Sequence, residues 1–281
     1  MKFGVSTLVT DESIGPASLG RALEERGFES LFVGEHTHIP VKRETPWPGG
    51  GELRRELYRT IDPFVALTAA AMVTERLLLG GGVFQVAQRD PLTLAKEIAS
   101  LDLVSGGRVV AGVGAGWNRE EIRNHGTEPR TRMALMRERV LAMKALWSEE
   151  EAEFHGDFVA FDPVFCWPKP VQRPHPPVMV VGNHPAVVER VLDYGDAWGL
   201  IWLPVMVEGE SALGPVIADF RRRAQERGRK YIPVTAYQVL PDREAVASIV
   251  AAGVDRILFT LPTVPEEETL RSLDEMAALF V

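Results

Sequence analysis

The stretch RVVAGVGAGWNREE at residues 108–121 is the part of the sequence that best indicates the fold. Its first half is apolar and rich in valine, which predicts a buried β-strand. Glycines then alternate at positions 112, 114 and 116, and Trp117, Asn118 and two glutamates follow. A glycine has no Cβ, so its backbone can approach a bound ligand closely. A glycine-rich strand end before an aromatic residue therefore favours a site for a planar, anionic cofactor.

Seven further segments have the same character, and amphipathic helical patterns separate them. An alternation of apolar strands with amphipathic helices indicates a parallel sheet covered by helices. Eight such units in 281 residues fit a closed (β/α)8 TIM barrel better than an open sheet. We expect one domain over residues 1–281, with a loop insertion at 40–60 after the second strand and a hairpin-like insertion at 149–177 before the fifth. The predicted strands are 2–8, 30–33, 76–83, the opening stretch, 177–181, 197–203, 232–239 and 254–261.

Net charge, cysteine content and apolar runs limit the partners and the cellular compartment that we expect for this protein. The formal net charge of −8 argues against nucleic acid or an anionic membrane as the main partner. Cys166 is the only cysteine, which excludes an intramolecular disulfide and fits a reducing cytosol. The first residues, MKFGVSTLVT, do not form a signal peptide, and no apolar run approaches 18 residues. We therefore expect a cytoplasmic protein that acts on a small molecule.

Active sites of such barrels lie at the carboxyl ends of the strands. The opening stretch is not a dinucleotide fingerprint, because Trp117 stands where the last glycine of G-x-G-x-x-G belongs. Its glycines instead line a ligand or simply let the strand fit a crowded rim. Gly182 and Asn183, at the start of a helix, form either a phosphate site or a plain helix cap. The glycines at 80–82 form either a bulge or a backbone that presses on a ligand.

Glu35 and His36 follow the second strand directly, and His38 comes two residues later. The H-x-H spacing is typical of barrel metallohydrolases, but such a site needs further ligands at later strands. Strand eight ends in Thr260 rather than an aspartate, so we expect no metal site. His36 is then either a structural histidine beside Glu35 or a general acid–base near a cofactor ring.

Several stretches together resemble the luciferase-like monooxygenase family, and most closely its coenzyme F420-dependent oxidoreductase branch of actinobacterial type. The resemblance covers residues 1 to about 203 and is looser in the last third. The stretches are GEHTHIP (34–40), PGGGELRRELYRTIDPFVAL (48–67), LLLGGGVFQVAQRDPLTLAKEIASLDLVSGGRV (77–109), GVGAGWNREEIRNHG (112–126), WPKPVQRPHPPV (167–178) and GDAWGL (195–200).

The resemblance implies a TIM barrel that binds a deazaflavin or flavin ring over its strand ends. It also implies a non-prolyl cis peptide at Gly82-Val83, and it places Glu35 and His36 beside the cofactor. Their position together at a strand end makes His36 and Glu35 the catalytic candidates. In sugar-phosphate dehydrogenase relatives a catalytic glutamate follows the glycines of the fourth strand, where this chain has Trp117. Relatives commonly have Gly-Pro after the Gly-Asn of strand five, where this chain has His184-Pro185. The implied cofactor-binding residues are Gly82, Val83, Gly114, Ala115, Gly116, Val181, Gly182, Asn183 and His184.

The function expected from this resemblance is hydride transfer between F420 and an organic substrate. Two alternatives stay open, namely an FMN-dependent monooxygenase that uses oxygen and a barrel that binds the cofactor without catalysis. The loop 40–60, with Trp47, is expected to cover the substrate. The family also implies a homodimer.

Overall fold

Parallel strands form a closed barrel in the computed structural model, which describes residues 1–183, 185–202 and 213–280. The barrel strands pair side by side in the order β3-β2-β1-β11-β10-β9-β8-β5, and pairing of β3 with β5 closes the ring. The short strand β4 continues β3 beyond a break and also pairs with β5. The predicted (β/α)8 barrel is confirmed. In chain order, the strands are β1 (Lys2–Thr7), β2 (Ser30–Val33), β3 (Leu78–Gly81), β4 (Phe84–Gln85), β5 (Val109–Gly114), β6 (Ala152–His155), β7 (Ala160–Val164), β8 (Val178–Val181), β9 (Ala197–Ile201), β10 (Val234–Val239) and β11 (Arg256–Thr260).

Helices cover the outside of this barrel and begin where the sequence provides caps. The Asp62 carboxylate accepts hydrogen bonds from the amides of Phe64 and Val65, and Pro63 occupies the first helical position. One short helix, α4, was not predicted, because residues 119–124 show no apolar periodicity. The helices are α1 (Pro16–Glu25), α2 (Pro63–Ala71), α3 (Pro91–Val104), α4 (Arg119–Asn124), α5 (Arg132–Ser148), α6 (Pro185–Tyr194), α7 (Leu213–Glu226), α8 (Arg243–Ala251) and α9 (Glu266–Ala277).

The lumen of the barrel is filled by large apolar side chains. Phe32 of β2 meets Tyr237 of β10 edge-on, with ring centroids 6.1 Å apart. These two strands are not neighbours in the sheet, so the contact crosses the lumen. Val110, Met179 and Leu258 complete this inner cluster. A flat molecule at the strand ends would therefore rest on an apolar floor.

Both predicted insertions have ordered contacts. Strands β6 and β7 pair antiparallel, which confirms the hairpin before the fifth barrel strand. The loop 40–60 contains one 3-10 turn, Arg55–Tyr58. Arg55 forms an ion pair with Glu12 in the loop after β1, and the amide of Glu44 donates to the Glu120 carboxylate on α4. The loop therefore connects two regions at the carboxyl-end face of the barrel.

No helix in the described ranges has both the length and the apolar content that a membrane crossing requires.

Candidate functional site

His36 lies after β2, beyond Gly34 and Glu35, and its side chain is only 6% exposed. The ring contacts the Oε2 atom of Glu121 through Nδ1 at 2.8 Å. On its other side, Nε2 lies 3.1 Å from the indole Nε1 of Trp117. An indole N–H can only donate, so Nε2 is the acceptor and the imidazole proton lies on Nδ1, where it donates to Glu121. We therefore assign His36 as a neutral imidazole held in one tautomer by partners on both sides.

Glu121 is the residue of this cluster that the sequence analysis missed. Its side chain is fully buried, and its second oxygen accepts a hydrogen bond from the amide of Thr37 at 3.2 Å. The Asn118 side chain caps α4 by accepting from the amide of Glu121, and this turn brings the carboxylate to His36. An asparagine three residues before a glutamate is a helix-start pattern that could have revealed α4. The chain thus has a buried carboxylate one helical turn beyond Trp117.

The structure places Glu35 in an internal ion pair. Its carboxylate contacts Arg89 Nη2 at 2.5 Å and accepts a hydrogen bond from the amide of Gln85 at 2.6 Å. Arg89 also reaches Asp62 at 2.8 Å. Burial of Arg89 disfavours its charged form, but hydrogen bonds to Glu35 and Asp62 outweigh burial and raise its pKa. Both Glu35 oxygens therefore have protein partners that join the end of β2 to the segment after β4. A catalytic role for Glu35 stays a prediction.

The peptide between Gly82 and Val83 is cis, as the resemblance implied. Both residues are half-buried at the end of the third barrel strand. A Cβ added at Gly82 would lie 2.2 Å from the hydroxyl of Tyr237 in the floor, so only glycine fits there. That hydroxyl is buried and has no hydrogen-bond partner among the described residues. Burial raises the pKa of Tyr237, which keeps the phenol neutral.

The glycines of the opening stretch face other parts of the protein. A Cβ at Gly112 would lie 2.0 Å from the carbonyl oxygen of Gly81, and one at Gly114 would lie 2.6 Å from the Val83 side chain. Gly116 has a φ of +79° and adjoins the Gln85 side chain. These contacts favour the crowded-rim interpretation, since the glycines accommodate the end of the third strand. Any contact of Gly114, Ala115 and Gly116 with a cofactor stays a prediction.

Gly182 and Asn183 extend the pairing of β8 with β9. The Asn183 side chain donates to the carbonyl of Ile201 at 2.5 Å and accepts from its amide at 2.7 Å. Gly182 has a φ of +147°, which favours glycine. Val181 is half-buried beside them, and its side chain occupies the space that a Cβ at Gly199 would fill. His184 lies outside the described residues, and a phosphate site at this position stays a prediction.

His38 and His125 form a separate pair next to the His36 cluster. The Thr37 hydroxyl contacts His38 Nδ1 at 2.9 Å and His125 Nε2 at 2.6 Å. Burial and the nearby His38 both lower the pKa of His125. His36 and His38 thus have different partners, and no group of three possible metal-ligating side chains occurs in the ranges that the structure describes.

The strand ends thus form a half-buried surface on which a flat ring could lie. Its floor is apolar, its surface at Gly82, Val83 and Gly182 is half-buried, and the His36 ring stands at one side. Such a site can bind a planar molecule by stacking and van der Waals contact while His36 offers one basic nitrogen. A deazaflavin or flavin ring fits this arrangement in shape and polarity.

Comparisons with known proteins connect the chain to flavin and deazaflavin enzymes. An uncharacterized protein of Mycobacterium tuberculosis is 38% identical over 283 residues, which cover 99% of this chain and 98% of that protein. An FMNH2-dependent dimethylsulfone monooxygenase of Pseudomonas putida is 30% identical over 58% of this chain and 45% of its own length. An F420-dependent glucose-6-phosphate dehydrogenase of Amycolatopsis mediterranei is 28% identical over 66% of this chain and 54% of its own length.

Solved structures share the fold across the whole chain. The monooxygenase RslO1 from Streptomyces bottropensis superposes with a TM-score of 0.81 at 23% identity, over 100% of this chain and 98% of that one. An F420-dependent secondary alcohol dehydrogenase, in complex with an F420-acetone adduct, gives 0.76 at 19% identity over the same shares. The luciferase-like monooxygenase family model matches residues 4–277. The chain therefore belongs to the luciferase-like monooxygenase family.

Proposed function

We propose that this protein is an F420-dependent oxidoreductase that transfers a hydride between the deazaflavin and an organic substrate. The observation that carries the proposal is the half-buried strand end at Gly82 and Val83 above an apolar floor, with the imidazole of His36 nearby. The F420-dependent relatives in sequence and in structure support this choice of cofactor. The FMNH2-dependent relative makes an FMN-dependent monooxygenase the second candidate.

The residues that would hold the ring are those at the strand ends. Gly82 and Val83 would contact its face, the Val181–Asn183 segment would approach its ribityl phosphate side, and His36 would stand at its edge. When bound, the deazaflavin supplies or accepts the hydride, and the protein supplies orientation and electrostatics. Because Gly82 carries no side chain, its backbone can lie close to the Tyr237 hydroxyl, which belongs to the floor beneath the proposed ring site.

His36 is the acid–base residue in this proposal. Glu121 holds the proton on Nδ1, which leaves Nε2 as the basic nitrogen of the ring. A proton taken up at Nε2 gives an imidazolium that the buried Glu121 carboxylate stabilises, at the cost of the hydrogen bond from Trp117. Glu121 is thus a positioning residue, and Trp117 sets the direction in which Nε2 points. This is the base-and-orienter arrangement that general acid–base sites use.

Turnover assays separate the two candidate functions. Reduced F420 is supplied without oxygen together with a panel of ketones and enones, and the return of the oxidised cofactor is followed by absorbance. Reduced FMN is supplied in parallel in an oxygen electrode. We expect substrate-dependent oxidation of reduced F420 without oxygen uptake. Substrate-dependent oxygen uptake with reduced FMN alone would contradict the proposal and favour the monooxygenase.

Two variants test the proposed roles within the site. His36→Ala should lose most turnover while it retains cofactor binding, because the ring is proposed to move a proton rather than to hold the cofactor. Full turnover of this variant would rule that role out. Shortening the loop 40–60 between its attachments to Glu12 and Glu120 should raise KM, and unchanged kinetics would refute its function as a lid.

A further inference from the structure

Four arginines surround a pocket of about 340 Å³ next to the candidate site. The pocket lies between the start of α4 and the start of α5, in the segment that follows β5. It is therefore on the same face of the barrel as the strand ends, adjacent to Trp117 and the His36 cluster. Its lining consists of Arg119, Arg123, Glu128, Pro129, Arg130 and Arg132.

These arginines have few anionic partners. Among the described residues, Arg123 approaches one carboxylate, that of Glu120, at 3.8 Å, and Arg119, Arg130 and Arg132 have none within 4.0 Å. Elsewhere in the chain the arginines are commonly paired, as Arg89 is with Glu35 at 2.5 Å. The positive charges of these arginines repel one another, as Arg119 does Arg132, and a bound anion would compensate that repulsion.

Arg132 gives a second observation that points to a ligand. Its Nη1 atom donates to the carbonyl of Pro129 at 2.6 Å, but its Nε atom is buried without a hydrogen-bond partner in the part of the chain that the structure describes. Burial, followed by the charges of Arg119 and Arg190, lowers the pKa of Arg132. An anion in the pocket would give the Nε atom an acceptor, and its negative charge would raise the pKa of Arg132 again.

We propose that this pocket binds a chain that carries several phosphate or carboxylate groups. A guanidinium binds each such group through two parallel N–H bonds, and four guanidiniums exceed what one phosphate requires. Resting on the proposed function, we assign the ligand as the anionic tail of F420, which continues from its phosphate into glutamate residues. FMN ends at its phosphate, so the pocket would distinguish the two cofactors. A multiply charged substrate is the other source of the same chemistry.

The test compares F420 with its tail-free core, the deazaflavin-ribityl fragment that lacks the phosphate. Both are titrated by cofactor fluorescence into the wild type and into the double variant Arg119→Ser/Arg130→Ser, whose replaced side chains form no ion pair and no hydrogen bond with the residues that the structure describes. We expect the wild type to prefer F420 over the core, and the variant to bind F420 at least about tenfold more weakly and the core unchanged. The matched control is Arg222→Ser/Arg271→Ser, which removes the same charge at ion pairs on α7 and α9. It should change neither affinity.

A free tetraglutamate peptide is titrated into the wild type and the arginine variant by calorimetry at low salt. This second titration distinguishes a site for the cofactor tail from a site for an anionic substrate. Equal F420 affinity in the wild type and the arginine variant overturns the assignment to the cofactor tail. If tetraglutamate then binds the wild type and not the variant, the pocket serves an anionic substrate. No tetraglutamate binding together with no effect on F420 overturns the pocket itself. Failure of both F420 and its core to bind would refute the proposed function, while the peptide still tests the pocket.

Discussion

Replacement of Glu121 tests whether His36 is a neutral ring held in one tautomer. The buried carboxylate accepts two hydrogen bonds, one from His36 Nδ1 and one from the amide of Thr37. Glu121→Ala leaves both donors without an acceptor. Glu121→Gln keeps one of the two acceptor oxygens, replaces the other with an amide NH2 that cannot accept, and removes the negative charge.

The two variants differ in their expected cost. Each buried donor left unpaired costs about 1–3 kcal/mol, so Glu121→Ala should lose about 2–6 kcal/mol of unfolding free energy. The amide oxygen of Glu121→Gln can still accept from the neutral imidazole, which leaves only the Thr37 amide unpaired, and its cost should be about 1–3 kcal/mol. If His36 were instead a charged imidazolium, either variant would break a buried ion pair at about 3–5 kcal/mol. The difference between alanine and glutamine therefore reports the charge of His36.

Urea unfolding near neutral pH measures both free energies. A third variant, Trp117→Phe, removes the indole N–H that donates to Nε2 and should lower the unfolding free energy by about 1 kcal/mol. Labelled imidazole nitrogens observed by NMR should show the proton on Nδ1 in the wild type. Glu121→Gln as costly as Glu121→Ala, within about 0.5 kcal/mol, would refute the neutral-tautomer assignment.

Three further predictions concern stability. Gly82→Ala should lower the unfolding free energy by about 1–3 kcal/mol, because the new methyl group overpacks against the Tyr237 hydroxyl. Adding Tyr237→Phe should restore about 1 kcal/mol or more. If the costs of the two substitutions simply add in urea unfolding, the contact is contradicted. Arg89→Met should cost about 3–5 kcal/mol because it leaves the Glu35 carboxylate buried and unpaired, and a loss below about 1 kcal/mol in the same assay would refute this ion pair. Burial lowers the pKa of His175 in the folded protein, so as the pH falls below about 6.5 the unfolded chain binds a proton before the folded protein does, and stability falls. His175→Gln should therefore make the melting temperature less dependent on pH between about pH 5 and 7. An unchanged pH dependence of the melting temperature would contradict this prediction.

Local sequence patterns were sufficient to predict the barrel. Apolar runs such as Val178–Val181, bounded by turn residues, are strands because both of their faces are buried. Asp62 and Pro63 start α2 through contacts within three residues of one another. The cis peptide at Gly82-Val83 came from the resemblance, since no local pattern specifies it.

The partners within the site could not be predicted from local patterns. Glu121 meets His36 across 85 positions of sequence, and Arg89 meets Glu35 across 54. Only the closure of the barrel brings these groups together. For the same reason, the sequence leaves open whether the glycines of β5 line a ligand or fit a crowded rim, and the atoms nearest to Gly112 and Gly114 belong to Gly81 and Val83.

Equilibrium binding of the two cofactors tests the central claim most directly. Purified protein is titrated with F420 and, separately, with FMN under the same buffer and salt, and cofactor fluorescence gives each dissociation constant. The account predicts that F420 binds at least about tenfold more tightly than FMN, a difference of about 1.4 kcal/mol. Tighter binding of FMN, or binding of neither cofactor, would contradict it.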